Sequence, residues 1–145
     1  MPRRRTVPTS PASPAPLGPS APCPCGLPAT YGECCGLLHA GSGAAPTAER
    51  LMRSRYSAFV VHDAGYLLRT WSAATRPPSV DFDADLRWTG LEVLATEGGT
   101  AFHEEGRVDF RARFRIRGRD GEQRENSRFV REAGLWVYVA EVPGA

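Results

Sequence analysis

The sequence predicts an α+β fold, with N-terminal helices packed on one face of a curved antiparallel sheet. Two observations predict it: apolar residues at helical spacing over 47–71, then a change to strict alternation over 86–140. A third feature stands apart from both. The segment 22–41 holds all 4 cysteines of the 145-residue chain.

Residues 1–21 carry prolines at 2, 8, 11, 14, 16 and 19 and almost no large apolar side chain, so they are expected to form a disordered tail. The run Arg3-Arg4-Arg5 is followed by proline, serine and alanine rather than an apolar stretch, which argues against a secretory leader. No segment reaches the roughly 18 uninterrupted apolar residues of a membrane helix, and a cytoplasmic protein without a membrane partner is expected. Residues 41–46 read as a hinge between the cysteine segment and an α+β domain at 45–142.

Thr47 can cap a helix whose first turn holds Glu49, and Met52, Tyr56, Phe59 and Val60 form its apolar stripe, with Arg50, Arg53 and Ser57 off it. Asp63 can cap a shorter helix that aims Tyr66, Leu67 and Trp71 at a core and is stopped by Arg76-Pro77-Pro78. From Leu86 the period becomes two. Leu91, Val93 and Ala95 alternate with polar neighbours, and Glu97-Gly98-Gly99 turns the chain. Val108, Phe110, Ala112, Phe114 and Ile116 then alternate with Asp109, Arg111, Arg113, Arg115 and Arg117. Turns at Gly118-Arg119-Asp120-Gly121 and Ala133-Gly134 complete an antiparallel meander, the last strand carrying Trp136 and Tyr138 on one face.

The cysteines are spaced C-x-C-x8-C-C. Four thiolates suit a tetrahedral zinc ion, with bonds of about 2.3 Å, and Cys23, Cys25, Cys34 and Cys35 are the candidate ligands. A segment this short has no core, so a structural metal would supply its folding free energy. A disulfide pair, a redox pair or an iron–sulfur cluster are the alternatives, the first two disfavoured by a reducing cytosol and the last by spacing. His39 lies four residues past Cys35 and is expected to support the site or face solvent rather than ligate.

These residues carry a resemblance. Cys23-Pro24-Cys25-Gly26, Tyr31 and Cys34-Cys35-Gly36 resemble the SEC-C motif, the small zinc module at the C-terminus of the SecA translocation ATPase. The strings at 51–59 (LMRSRYSAF), 66–71 (YLLRTW), 88–91 (WTGL) and 125–129 (ENSRF) resemble the YchJ-like family of uncharacterised bacterial proteins. The resemblance covers about 23–138 and implies a SEC-C module joined to a nuclear transport factor 2-like (cystatin-like) domain, a cone of helices on a bent antiparallel sheet. It also implies an adaptor role, with a protein or ribosome partner contacting 22–41, and makes a homodimer a further expectation.

No catalytic constellation can be assembled. His39, His62 and His103 fall outside inward strand positions, every cysteine is committed, and phosphate-cradling glycine patterns are absent, so an enzyme is not expected. Two binding readings remain. Arg55, Tyr56, Trp71, Trp88, Glu125, Ser127, Trp136 and Tyr138 mix aromatic surface with a few polar groups, the composition of a small-molecule pocket, although core packing would use the same residues. The arginine row at 111–117 is a candidate surface for nucleic acid, set against a net charge of only +2 and the lack of interleaved aromatics. All 18 basic residues are arginine, which codon usage of a GC-rich genome explains as well as chemistry does.

Overall fold

The computed structural model describes residues 17–143, so most of the expected tail (1–16) lies outside the described residues. Residues 18–21 belong with the cysteine module. Pro19 O accepts from the Gly32 N–H at 2.9 Å and Ala21 O from the Tyr31 N–H at 2.7 Å. A loop without a core closes through these backbone bonds, which is why its order begins before residue 22.

After a 3-10 turn at Tyr31–Glu33 come three helices, α1 (Cys35–His39), α2 (Ala48–Val61) and α3 (Ala64–Arg69). Both expected caps form: Thr47 Oγ1 accepts from the Arg50 N–H at 3.1 Å, and Asp63 Oδ1 from the Tyr66 N–H at 3.0 Å. Helix α3 stops at Arg69, well before the prolines. The Thr70 and Trp71 N–H groups turn back to Tyr66 O and Leu68 O, and Trp71 then bridges to Tyr138. Tertiary pairing ends this helix before proline can.

Four strands follow, β1 (Leu86–Gly98), β2 (Glu105–Ile116), β3 (Arg119–Glu132) and β4 (Leu135–Glu141), paired antiparallel in chain order. The β2–β3 turn is tighter than expected. Only Arg117 and Gly118 lie in it, both at positive φ (49° and 80°), and Ile116 pairs directly with Arg119. Ala133 and Gly134 repeat that geometry at 53° and 82°, the type I′ backbone that matches strand twist.

The sheet curves because its strands are irregular. Register shifts fall between Trp88 and Gly90 and between Val93 and Ala95 in β1, and beside Arg128 and Phe129 at the β3–β4 pairing. Each bulge bends its strand and adds twist. The second shift also resets the alternation, leaving Leu91 and Val93 against the core and Ala95 exposed, contrary to the expected period. The concave face packs on α2 through Met52, Tyr56, Val108, Ala112, Phe129 and Trp136.

Helix α2 departs most from its amphipathic reading. Ser54 and Ser57 are both 0% exposed because the cysteine module covers the face turned away from the sheet, and Arg55 is 6% exposed because α3, Trp71 and Tyr138 enclose it. Residues 41–44 are exposed, and the end of this stretch is anchored: Ala45 touches both apolar clusters and Pro46 O accepts from Trp136 Nε1 at 3.3 Å.

The N-terminus of α2 is seated on a glycine pair. Gly99 O accepts from the Ala48 N–H at 2.9 Å, and a Cβ on Gly106 would stand 2.4 Å from Gly99 Cα and 3.2 Å from Ala48 Cβ. Gly106→Ala should therefore cost about 1–3 kcal/mol of stability in urea denaturation, and an unchanged midpoint would contradict this packing.

Candidate functional site

The four cysteine sulfurs converge. Their Sγ atoms all lie within 4.8 Å of one another, and Cys25 Sγ stands 3.7 Å from Cys34 Sγ. A tetrahedron with bonds of about 2.3 Å has edges of about 3.8 Å, so the donor set can hold a metal ion. The same separation far exceeds the roughly 2.05 Å of a disulfide, and all four cysteines are free thiols. Cys25 and Cys35 are fully buried, Cys23 and Cys34 nearly so. The crowded sulfurs cannot all ionise without a cation. Hydrogen bonds from Cys25 and Cys35 hold Cys23 well below the usual thiol range, and the same Cys23 contact pushes Cys25 up to about 11.

Helix α2 supplies the surroundings of this centre. Arg50 Nη1 lies 3.9 Å from Cys35 Sγ, Ser57 Oγ lies 3.8 Å from Cys23 Sγ, and Arg53 Nη1 donates to Cys25 O at 2.7 Å while its Nε pairs with Glu49. Two cationic side chains thus face a site that would carry net negative charge with four thiolates on a divalent ion.

His39 lies outside the sulfur cluster and supports the module from its far side. It ties the module to α2, accepting at Nδ1 from the Tyr31 hydroxyl (2.6 Å) and donating from Nε2 to Ser54 O (2.8 Å). Burial holds it below the ordinary histidine range, in the neutral form this tautomer requires. A base whose folded pKa is depressed adds stability above its unfolded pKa of about 6.5 and loses it as pH falls through the folded value. His39→Gln should thus lose about 1–2 kcal/mol at pH 8 and show a shallower decline below about pH 6.5 than the parent, measured as the difference between the two denaturation curves so that shared thiolate protonation cancels.

The second feature is a cavity of about 340 Å³ between α2 and the concave sheet. Seven of the eight residues named from sequence line it: Arg55, Tyr56, Trp71, Trp88, Glu125, Ser127 and Tyr138. Trp136 does not. It is buried against the start of α2, with Nε1 on Pro46 O and the Arg131 guanidinium 4.5 Å from its ring. It shares a face with Tyr138 but sits nearer the other end of the helix.

Register explains why acidic and polar residues of β3 face inward. Phe110 pairs with Glu125, Ala112 with Gln123 and Val108 with Ser127, and directly opposed residues share a sheet face. The apolar face of β2 thereby sets the orientation of Gln123, which the sequence reading missed together with Met52, Phe59, Phe110, Ala112 and Phe129. The available signal was the β2 alternation, unusable for β3 until the turn length was known.

Inside the cavity Glu125 accepts from Ser127 Oγ at 2.6 Å, from the Tyr138 hydroxyl at 3.1 Å and from Gln123 Nε2 at 3.3 Å. Burial raises the Tyr138 phenol, so it remains a donor at neutral pH. The Arg55 guanidinium lies 5.0 Å from the Trp71 ring centre and 4.7 Å from that of Tyr138. Burial lowers Arg55 to about 10, which leaves it charged at pH 7.

The outer sheet face behaves differently. Arg111 and Arg113 both reach Glu92, at 3.1 and 3.6 Å, Arg115 reaches Asp120 at 2.9 Å and Arg117 reaches Asp85 at 3.0 Å. The arginine row is a lattice of exposed ion pairs, each weak on its own and screened by salt. No helix among the described residues is long and apolar enough to cross a membrane.

Residues 47–141 match the family model described as YchJ, middle NTF2-like domain. A UPF0225 protein of Streptomyces avermitilis is 55% identical over 136 residues, covering 94% of this chain and 93% of that protein. One from Streptomyces coelicolor is 57% identical over 121 residues, covering 83% and 94%. Among solved structures, the solution structure of a SEC-C motif containing protein from Rhodopseudomonas palustris superposes with a TM-score of 0.73 at 31% identity, over 85% of this chain and 98% of that one. The crystal structure of another SEC-C motif containing protein, from Psychrobacter arcticus, gives 0.67 at 28% identity, over 85% and 84%. With a bent meander under capped helices, a four-sulfur cluster on the outer side of α2 and relatives matched almost end to end, the chain belongs to the YchJ-like UPF0225 family.

Proposed function

We propose that this protein binds a small organic molecule in its cone, and that the SEC-C segment is a zinc-filled clamp on α2 that keeps the cone in shape. The observation that carries the first half is the cavity itself. Its volume of about 340 Å³ falls in the range of ligand sites, and its wall is aromatic with a few convergent polar groups. A chain that needed only a core would fill this space with side chains. The second half rests on the docking of the module. Arg53, Ser54 and Ser57 of α2 contact it, while Met52, Arg55 and Tyr56 of the same helix line the cavity. Zinc is the ion that four thiolates in a core-less loop select, and the chain's part is to hold four sulfurs converged and two arginines near them.

Contact with a protein or ribosome partner through the module is a second reading. It is supported by Leu37, which is 46% exposed on α1. That contact would use the outer side of α1 and leave the cone free.

Two experiments test the proposal. Removing metal with chelator under reducing conditions should release about one zinc per chain and lower Tm by on the order of 10–20 °C, since several kcal/mol of folding free energy leave with the ion. Protein without stoichiometric zinc would refute the clamp. For the cone, thermal-shift screening of a metabolite library should yield compounds that raise Tm and quench Trp71 and Trp88. Ala112→Leu, which fills the cavity from the sheet floor, should fold and lose those responses. A library that leaves the parent protein unmoved would refute the ligand reading.

A further inference from the structure

The guanidinium of Arg55 has one edge spent and one edge unused. Nη1 donates to Leu67 O at 2.8 Å and to Thr70 Oγ1 at 2.7 Å, which occupies both of its hydrogens. Among the described residues Nε and Nη2 make no hydrogen bond, and no carboxylate forms an ion pair with Arg55. The residue is 6% exposed, and neither remaining donor is among the buried atoms closed off from solvent. A buried cation left in that condition is costly, and its surroundings here are two aromatic faces rather than an anion.

The unused Nε and Nη2 donors lie side by side and parallel, the arrangement that grips both oxygens of a carboxylate. The charges in the wall decide between anions. Among the described residues Arg55 is the single cation lining the cavity and Glu125 the single anion, the latter already satisfied by three protein donors. A ligand carboxylate paired with Arg55 leaves Glu125 as the one excess charge, so a single negative charge is the most this wall accommodates. A phosphate monoester would bring about two, against one guanidinium and in the presence of Glu125. The wall around these groups is flat and aromatic on both sides, with Trp88 edge-on to Tyr56 at 6.0 Å and Trp71 edge-on to Tyr138 at 5.2 Å. Such walls favour a planar body over a bulky one.

We propose that the cone is a receptor for a small planar monocarboxylic acid, aromatic or conjugated, whose carboxylate is held by the Nε–Nη2 edge of Arg55. The inference rests on the ligand-binding reading of the cavity and specifies its chemistry. The ligand ring stacks among Trp71, Trp88 and Tyr138. Glu125 tolerates a hydroxyl or amino substituent on that ring and repels a second acidic group.

Calorimetric titration of the metal-loaded full chain with matched acid–amide pairs tests this. Benzoate, cinnamate and phenylpropionate are each compared with their carboxamides, which share shape and lack charge. The acids should bind at least about tenfold tighter than the amides, cinnamate best because it is flat and conjugated. In Arg55→Lys, which keeps the charge and loses the two-pronged edge, the acid–amide ratio should collapse towards one. If that variant melts without a cooperative transition, the titrations of the parent protein decide alone. Amides binding as tightly as acids, or neutral library compounds binding while every acid fails, would overturn the carboxylate assignment and leave the ligand reading standing. Failure of every compound, library and pairs alike, would overturn both.

Discussion

The rest of the structure depends on the burial of α2 from two sides. One face meets the concave sheet through Met52 and Tyr56, and the other meets the cysteine module through Ser54 and Ser57. A helix with a single apolar stripe can be covered once by hydrophobic contact alone. Covering its polar face as well requires a hydrogen-bonding partner for each group taken out of water. The module supplies them: His39 for Ser54 O, Cys25 O for Arg53, and a sulfur near Ser57 Oγ. Because the module has no apolar core, its shape rests on the four converged sulfurs, so a metal at that point would order α2 from outside.

That order reaches the cavity through a short chain of contacts. Arg55 sits on α2 between residues that touch the module and residues that touch the sheet, and its Nη1 bonds fix α3 through Leu67 O and Thr70. Thr70 also pairs with β4, where its carbonyl accepts from the Tyr138 N–H at 2.8 Å. Helix, helix and strand therefore meet at a single guanidinium. Ser54 strengthens the junction, since its hydroxyl bonds both Leu51 O and the Tyr66 phenol. Any loosening of the module would be felt at the groups that line the cone.

The sheet contributes shape more than charge. Its bulges curve it away from a flat layer, and the space between curved sheet and straight helix is where the cavity opens. On the convex side, arginines alternate with carboxylates across strands. Such pairs are individually weak and screened by salt. They also discourage sheet-to-sheet stacking, because desolvating that face would strip water from many ions at once.

Much of this was legible in the sequence, for reasons that are local. The period change at Leu86, the caps at Thr47 and Asp63 and the cysteine spacing each depend on residues within a few positions of one another. They determined the α+β class, the cysteine cluster and most of the aromatic lining. What only the tertiary structure decided is non-local. Ser57 reads as a surface residue until the module covers it, Trp136 leaves the pocket because Pro46 claims its indole, and Gln123 enters it because the turn is two residues rather than four. Sequence periodicity reports which face of an element is apolar. It is silent on whether a second layer will cover the polar face, because the free energy of that burial belongs to partners far away in the chain.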